Sequence, residues 1–233
     1  MTNIRKRSPI VVSFSGLDGA GKTTQIDNLR ALMESLGLRD TMLTFWDNIV
    51  VLSRYREGFV HKVYGSERGI GAPDKPVERR DKNVRAWYLS LIRHGLYLLD
   101  AIHLRWVLAK AKRGPYDVII VDRYIYDELA NLPLENPFSR AFVRFIRAIA
   151  PQPDLAYLLD ADPIAARARK PEYPVEFMQK SRRAYFMLAE LLGTMTVIPP
   201  LPLTEAKHQV EQQFLRVLGN TPAPTETLDQ ATA

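Results

Sequence analysis

At 233 residues, with 46% apolar and 25% charged side chains, the chain has the composition of a soluble globular domain with one sizeable core. It contains no cysteine, which excludes disulfide frameworks, zinc ribbons and thiol catalysis. Its four histidines (His61, His94, His103, His208) have no metal-binding spacing. The net charge of +6 suits an anionic small-molecule substrate and would also suit nucleic acid; of the two, the substrate is the expected partner. The absence of a membrane-length apolar run sets the expected location as the cytoplasm, with no membrane partner.

Arg5-Lys6-Arg7 reads as a solvated basic tail. Pro9 to Ser15 is a short, β-branched-rich apolar run ending at a glycine, which predicts a buried strand, and helix is expected from Lys22 to Leu36. Thr41 to Trp46 reads as a second strand. Residues 60–82, rich in Gly, Pro and charge, read as a loop or broken helix. Residues 84–112 form a long helix or two helices broken near Gly95, with Trp87, Leu91, Leu98, Ile102 and Trp106 as core or dimer interface. Asp117–Val121, Leu155–Leu159 and Thr194–Ile198 supply three more strands, and helical patterns fill 137–149, 175–192 and 204–218. Strands without polar alternation, separated by helices, imply a parallel sheet covered on both faces. Residues 1–218 are expected to form one domain, and 219–233, rich in Thr, Pro and Ala, a disordered tail.

The segment Gly16-Leu17-Asp18-Gly19-Ala20-Gly21-Lys22-Thr23 matches the phosphate-binding P-loop at every required position, with a strand before it and a helix after it. Glycines let backbone N–H groups approach phosphate oxygens, and the helix start adds its dipole. Lys22 is the expected cation on the β/γ-phosphates of ATP, and the Thr23 hydroxyl a ligand to Mg²⁺, with Thr24 beside it. Asp122 and Arg123 follow an apolar strand. In a parallel sheet this puts them at the carboxyl end, where an acid can hold Mg²⁺ and an arginine can grip phosphate. Arg167, Arg169 and Lys170, followed by Pro171, suggest a cationic lid over about 166–175 that stabilises the moving phosphoryl group. Arg182 and Arg183 read as solvated.

Phe14 to Gln25, Val121-Asp122-Arg123-Tyr124, Pro153-Asp154-Leu155, Leu158 to Pro163, the lid, and Phe177 to Tyr185 together resemble bacterial thymidylate kinase over about residues 9–215. The resemblance implies an α/β, three-layer P-loop NTPase fold with a five-stranded parallel sheet of order 2-3-1-4-5. It also implies phosphoryl transfer from Mg²⁺-ATP to a nucleoside monophosphate, and a homodimer. In that setting Asp18 approaches the acceptor's sugar or phosphate, Arg123 its phosphate, and Arg167 and Arg169 supply transition-state charge. The family usually carries an Arg-Glu-Pro-Gly-type loop where this chain has Phe45-Trp46-Asp47-Asn48. A family serine and an Ala-Tyr-Gln give way to Asp127 and Ala130-Asn131-Leu132. The arginine of the long helix aligns with Asp100 or Leu99, with Arg93 one face away. Trp46, Asp47, Arg93 and Asp100 therefore join Asp18 and Arg123 as candidates for the acceptor site. Two other readings stay open: a kinase acting on a nucleoside or other hydroxyl, with Asp47 as general base, and a non-catalytic nucleotide-binding regulator.

Overall fold

The computed structural model describes residues 8–51 and 87–220. The expected basic tail at Arg5-Lys6-Arg7, the 60–82 segment and residues 221–233 lie outside them. Five strands, β1 (Ile10–Gly16), β2 (Asp40–Thr44), β3 (Val118–Asp122), β4 (Leu155–Leu159) and β5 (Met195–Ile198), form one parallel sheet in the order β2-β3-β1-β4-β5. This is the order that the resemblance implies.

Each central strand is apolar on both sides because helices cover both faces. Val12, Phe14 and Ile120 meet α1 (Lys22–Ser35) and α7 (Leu203–Asn220) through Ile26, Leu29, Val210 and Phe214. Val11, Ile119 and Val121 belong to the opposite core, built with α2 (Trp87–Lys112), α3 (Ile125–Leu129), α4 (Pro137–Ile149) and α6 (Val175–Leu192). The remaining helix, α5 (Pro163–Arg169), follows β4.

One sequence expectation changes, and two that were left open are narrowed. The second strand stops at Thr44, and Phe45–Ile49 form a single π-helical turn. Phe45 and Ile49 are both fully buried, and their spacing of four lets one helical turn deliver both to the same core. Val50 N–H closes the turn on the Phe45 carbonyl at 3.0 Å, and Asn48 Oδ1 accepts from Thr44 N–H at 2.7 Å. The long helix runs through Gly95 without a break; that glycine is exposed, with open space around its Cα. Finally, of the residues expected as core or dimer interface, Leu98 is partly buried against the core, while Leu91, Ile102 and Trp106 are exposed, which removes the core alternative for those three; α2 buries Tyr97, Ala101, Leu104 and Leu108. Both stripes are apolar, so periodicity alone did not say which one faces the sheet.

No helix among the described residues is long and apolar enough to cross a membrane. One bond ties α7 to the sheet: Tyr157 on β4 stacks at 5.1 Å on Phe14 and donates its hydroxyl hydrogen to the Val210 carbonyl at 2.8 Å. Tyr157→Phe leaves that carbonyl without its buried donor. The expected loss is about 1–2 kcal/mol in urea unfolding, with kinetics unchanged.

Candidate active site

The carboxyl ends of β1, β3 and β4 lie side by side, so Gly16, Asp122 and Leu159 share one edge. From this edge the chain leaves β1 into residues 17–21 and enters α1 at Lys22. Gly16, Gly19 and Gly21 all have positive φ (137°, 80° and 88°). A Cβ on Gly16 would stand 2.4 Å from the Leu159 carbonyl oxygen, and one on Gly19 2.4 Å from that of Ala166. The loop is thus pressed backbone to backbone against β4 and α5, and only glycine fits there.

Lys22 is buried, and its ammonium donates to the Gly16 and Leu17 carbonyls at 2.8 Å each, folding it over the loop. Burial lowers its pKa to about 8. The N-cap of α1 is Gly21, which has no side chain to satisfy the first N–H groups. Thr23 and Thr24 are exposed in the first helical turn. Leu17 is buried, whereas Ala20 is half-buried and packs against neighbouring cores.

Arg123 has φ +63°, the one non-glycine residue with positive φ among those described. Such a conformation costs on the order of 1 kcal/mol or more in a long side chain, so its surroundings must enforce it. Arg123 N–H donates to the Phe14 carbonyl at 3.0 Å, and its guanidinium pairs with the Asp18 carboxylate in the P-loop. Burial alone would raise the Asp18 pKa; Arg123, Lys22 and Lys170 outweigh it and hold the carboxyl below its ordinary value. Burial likewise works against the Arg123 cation, but Asp127 and then Asp18 raise its pKa. Asp122, half-buried at the end of β3, has its carboxyl pushed up mainly by burial.

Of the three cations of the expected lid, Lys170 is the one that reaches the P-loop: its Nζ lies 4.0 Å from Asp18 and 3.2 Å from Glu172. Arg167 is half-buried, and its buried Nε makes no hydrogen bond among the described residues. Arg169 is exposed. Arg182 is not merely solvated, as its sequence position suggested. It forms a two-pronged pair with Asp160, both contacts at 2.6 Å.

The remaining acceptor candidates are dispersed. Trp46 is half-buried against the α2-side core, and Asp47 is exposed in the π-helical turn. Asp100 is fully buried and accepts from Val51 N–H at 2.8 Å, so it fastens the chain after that turn. Arg93 is half-buried about two turns earlier on α2. Asp127 was not among the expected site residues. This buried carboxylate, four residues after Arg123 in sequence, accepts from Ser15 Oγ, Tyr124 N–H and Tyr185 Oη at 2.6, 2.9 and 2.7 Å. Its one sequence signal was an acid standing where the resembled family has serine.

Fold, glycine loop and cation cluster define a P-loop kinase. No profile of a described protein family matches the chain. It is nevertheless 32% identical over 195 residues to a thymidylate kinase of Bifidobacterium longum subsp. infantis, spanning 78% of this chain and 75% of that one. It is 26% identical over 224 residues to a probable thymidylate kinase of Archaeoglobus fulgidus (91% and 100% covered). To a probable thymidylate kinase of Pyrococcus abyssi it is 28% identical over 209 residues (85% and 91%). The chain belongs to the thymidylate kinase family and is an ATP-dependent kinase of the nucleotide kinase class.

Lys22→Ala removes the only P-loop cation. The expected result is a drop in kcat of about 100- to 1,000-fold in a coupled ADP-release assay, the range found when one preorganised charge donor is lost.

Proposed function

We propose that this chain transfers the γ-phosphoryl group of Mg²⁺-ATP to a nucleoside monophosphate, with thymidylate as the first candidate acceptor. The observation that carries the reading is the Asp18–Arg123 pair, which ties a guanidinium at the end of β3 to the donor loop. An anionic acceptor phosphate is the ligand that such a guanidinium suits. The names of the relatives point the same way.

The residues fit the donor and its metal. Three positive-φ glycines, an uncapped helix start and the orphaned Arg167 Nε suit a polyphosphate. The exposed Thr23 hydroxyl and the Asp122 carboxylate are the oxygen ligands a Mg²⁺ ion would use, and that ion would neutralise charge on the donor phosphates. Lys22 exchanges its two loop carbonyls for phosphate oxygens. Arg123 holds the acceptor phosphate, while Asp18 keeps that guanidinium aimed and sets the distance to the donor. Segment 166–175 acts as a lid: Arg167, Arg169 and Lys170 bring positive charge to the transferring group as its bond to the leaving oxygen loosens. The acceptor phosphate is already ionised, so no general base is needed. The exposure of Asp47 is consistent with that.

The reading includes a homodimer through α2. Leu91, Leu99, Ile102 and Trp106, each about half exposed, form an apolar stripe that a second copy would cover.

The test is ADP release with ATP and each of a panel of nucleoside monophosphates and their parent nucleosides. Turnover is expected with a monophosphate, thymidine monophosphate foremost, and turnover with nucleosides alone contradicts the reading. In the same assay Asp47→Asn is expected to stay within about threefold of the wild type, as for a surface substitution. Loss of activity would make Asp47 the base of a hydroxyl kinase.

A further inference from the structure

The network behind Arg123 has a purpose that neither the P-loop chemistry nor the family membership supplies. Asp127 lies at the third residue of a five-residue helix, α3, and its carboxylate is buried. Three donors converge on it, two from other elements and one from the N-cap of α3 itself. Ser15 Oγ comes from the end of β1, one residue before the P-loop begins, at 2.6 Å. Tyr185 Oη comes from the middle of α6 at 2.7 Å, and this tyrosine is itself buried. Tyr124 N–H, at 2.9 Å, belongs to the peptide immediately after Arg123.

That third contact decides the argument. Arg123 stands in the left-handed region, where a long side chain does not rest unless its flanking peptides are held. The peptide before its Cα is fixed by the N–H bond to Phe14, and the one after it by the Tyr124 N–H bond to Asp127. The two hydroxyls anchor the carboxylate; the carboxylate in turn anchors the peptide. The same charge also helps to stabilise the Arg123 cation, alongside Asp18, which pairs with it directly.

A neutral serine at this position could take part in one or two such bonds but would bring no charge. A buried carboxylate held by neutral donors alone is costly, so its retention calls for a cation to serve. Arg123 is that cation. Lys22 also feels Asp127, but as a weaker influence than Arg123 and Asp18.

We infer that Asp127 is a positioning residue of the transfer reaction: its carboxylate, anchored by Ser15 and Tyr185, locks the Tyr124 peptide and thereby aims Arg123 at the acceptor phosphate. The inference rests on the functional reading above. Asp127 touches neither substrate. It acts through Arg123, so its loss should be felt on the acceptor side and not on the donor side.

The experiment is a double-mutant cycle on the full chain, with ATP and thymidine monophosphate as substrates. Asp127→Asn keeps the size and one acceptor oxygen but loses the charge. It is expected to lower kcat/KM for thymidine monophosphate by about 10- to 100-fold, the scale of an ångström-level misplacement, with KM for ATP within about threefold. In an Arg123→Gln background the same change should alter acceptor kcat/KM by less than about threefold, because the residue it acts through is gone. Equal losses for both substrates, or losses that multiply in the double mutant, would overturn the inference and make Asp127 a structural tie. Should Asp127→Asn not fold, Tyr185→Phe removes one anchor and leaves the charge. An acceptor-side loss of about 3- to 10-fold is then expected, and wild-type acceptor kinetics overturn the inference. Wild-type protein that phosphorylates no monophosphate defeats the functional reading and this inference with it. Normal wild-type turnover with an unaffected Asp127→Asn defeats the inference alone.

Discussion

The ion pair between Asp18 and Arg123 is the contact on which the rest of the site depends, because its two partners reach it from separate strands and from unfavourable positions. Asp18 is a carboxylate within the phosphate loop, the place where a negative charge is least welcome when a polyphosphate is to bind. Arg123 must adopt a left-handed backbone to point at it. Each residue offsets the cost of the other. The cation keeps Asp18 ionised, and the anion gives Arg123 a reason to face the loop. Around them Lys22 and Lys170 add positive charge, and Asp122 and Asp127 negative charge, so the site is a cluster of alternating ions.

The fold makes this possible by parallel registration. β1 and β3 are neighbours with Phe14 opposite Asp122, which sets Asp122-Arg123 against the start of the P-loop. β4 on the other side supplies the Leu159 carbonyl against which Gly16 packs, and the helix that follows it presses the Ala166 backbone against Gly19. The sheet edge is therefore a frame with the glycine loop in its middle, Arg123 on one flank and the segment carrying Arg167, Arg169 and Lys170 on the other. Asp160, at the end of β4, holds Arg182 of α6 and keeps that helix at the same edge. Ligand sites at the carboxyl ends of parallel strands follow from this geometry.

Much of this was legible in the sequence. The P-loop could be read because each of its residues is chosen by backbone chemistry: glycines where φ must be positive, lysine and threonine at the helix start. The buried strands were legible because apolar runs such as Val118 to Val121 tolerate water on neither face. The π-helical turn at Phe45–Ile49 was hidden because Thr-Phe-Trp has strong strand propensity, and tertiary burial of Phe45 and Ile49 overrode it. The short helices α3 and α5 are below the length at which periodicity speaks. The second one starts at Asp162-Pro163, where the Asp162 carboxylate caps the Ile164 and Ala165 N–H groups at 3.0 and 2.9 Å. Asp100 as a fastener of Val51 was not legible, because its partner lies 49 residues away and the contact is to a peptide N–H that any residue could offer.

The central claim is that the Asp18–Arg123 pair organises the acceptor side of the site and leaves the donor side to the loop itself. The most direct test is calorimetric titration of Asp18→Asn protein, separately with ATP and with thymidine monophosphate. The account predicts that affinity for the monophosphate falls by about 10-fold or more as the guanidinium loses its partner, while ATP binds as well as or better than before because an anion has left its loop. Weakened ATP binding with unchanged monophosphate affinity would contradict it.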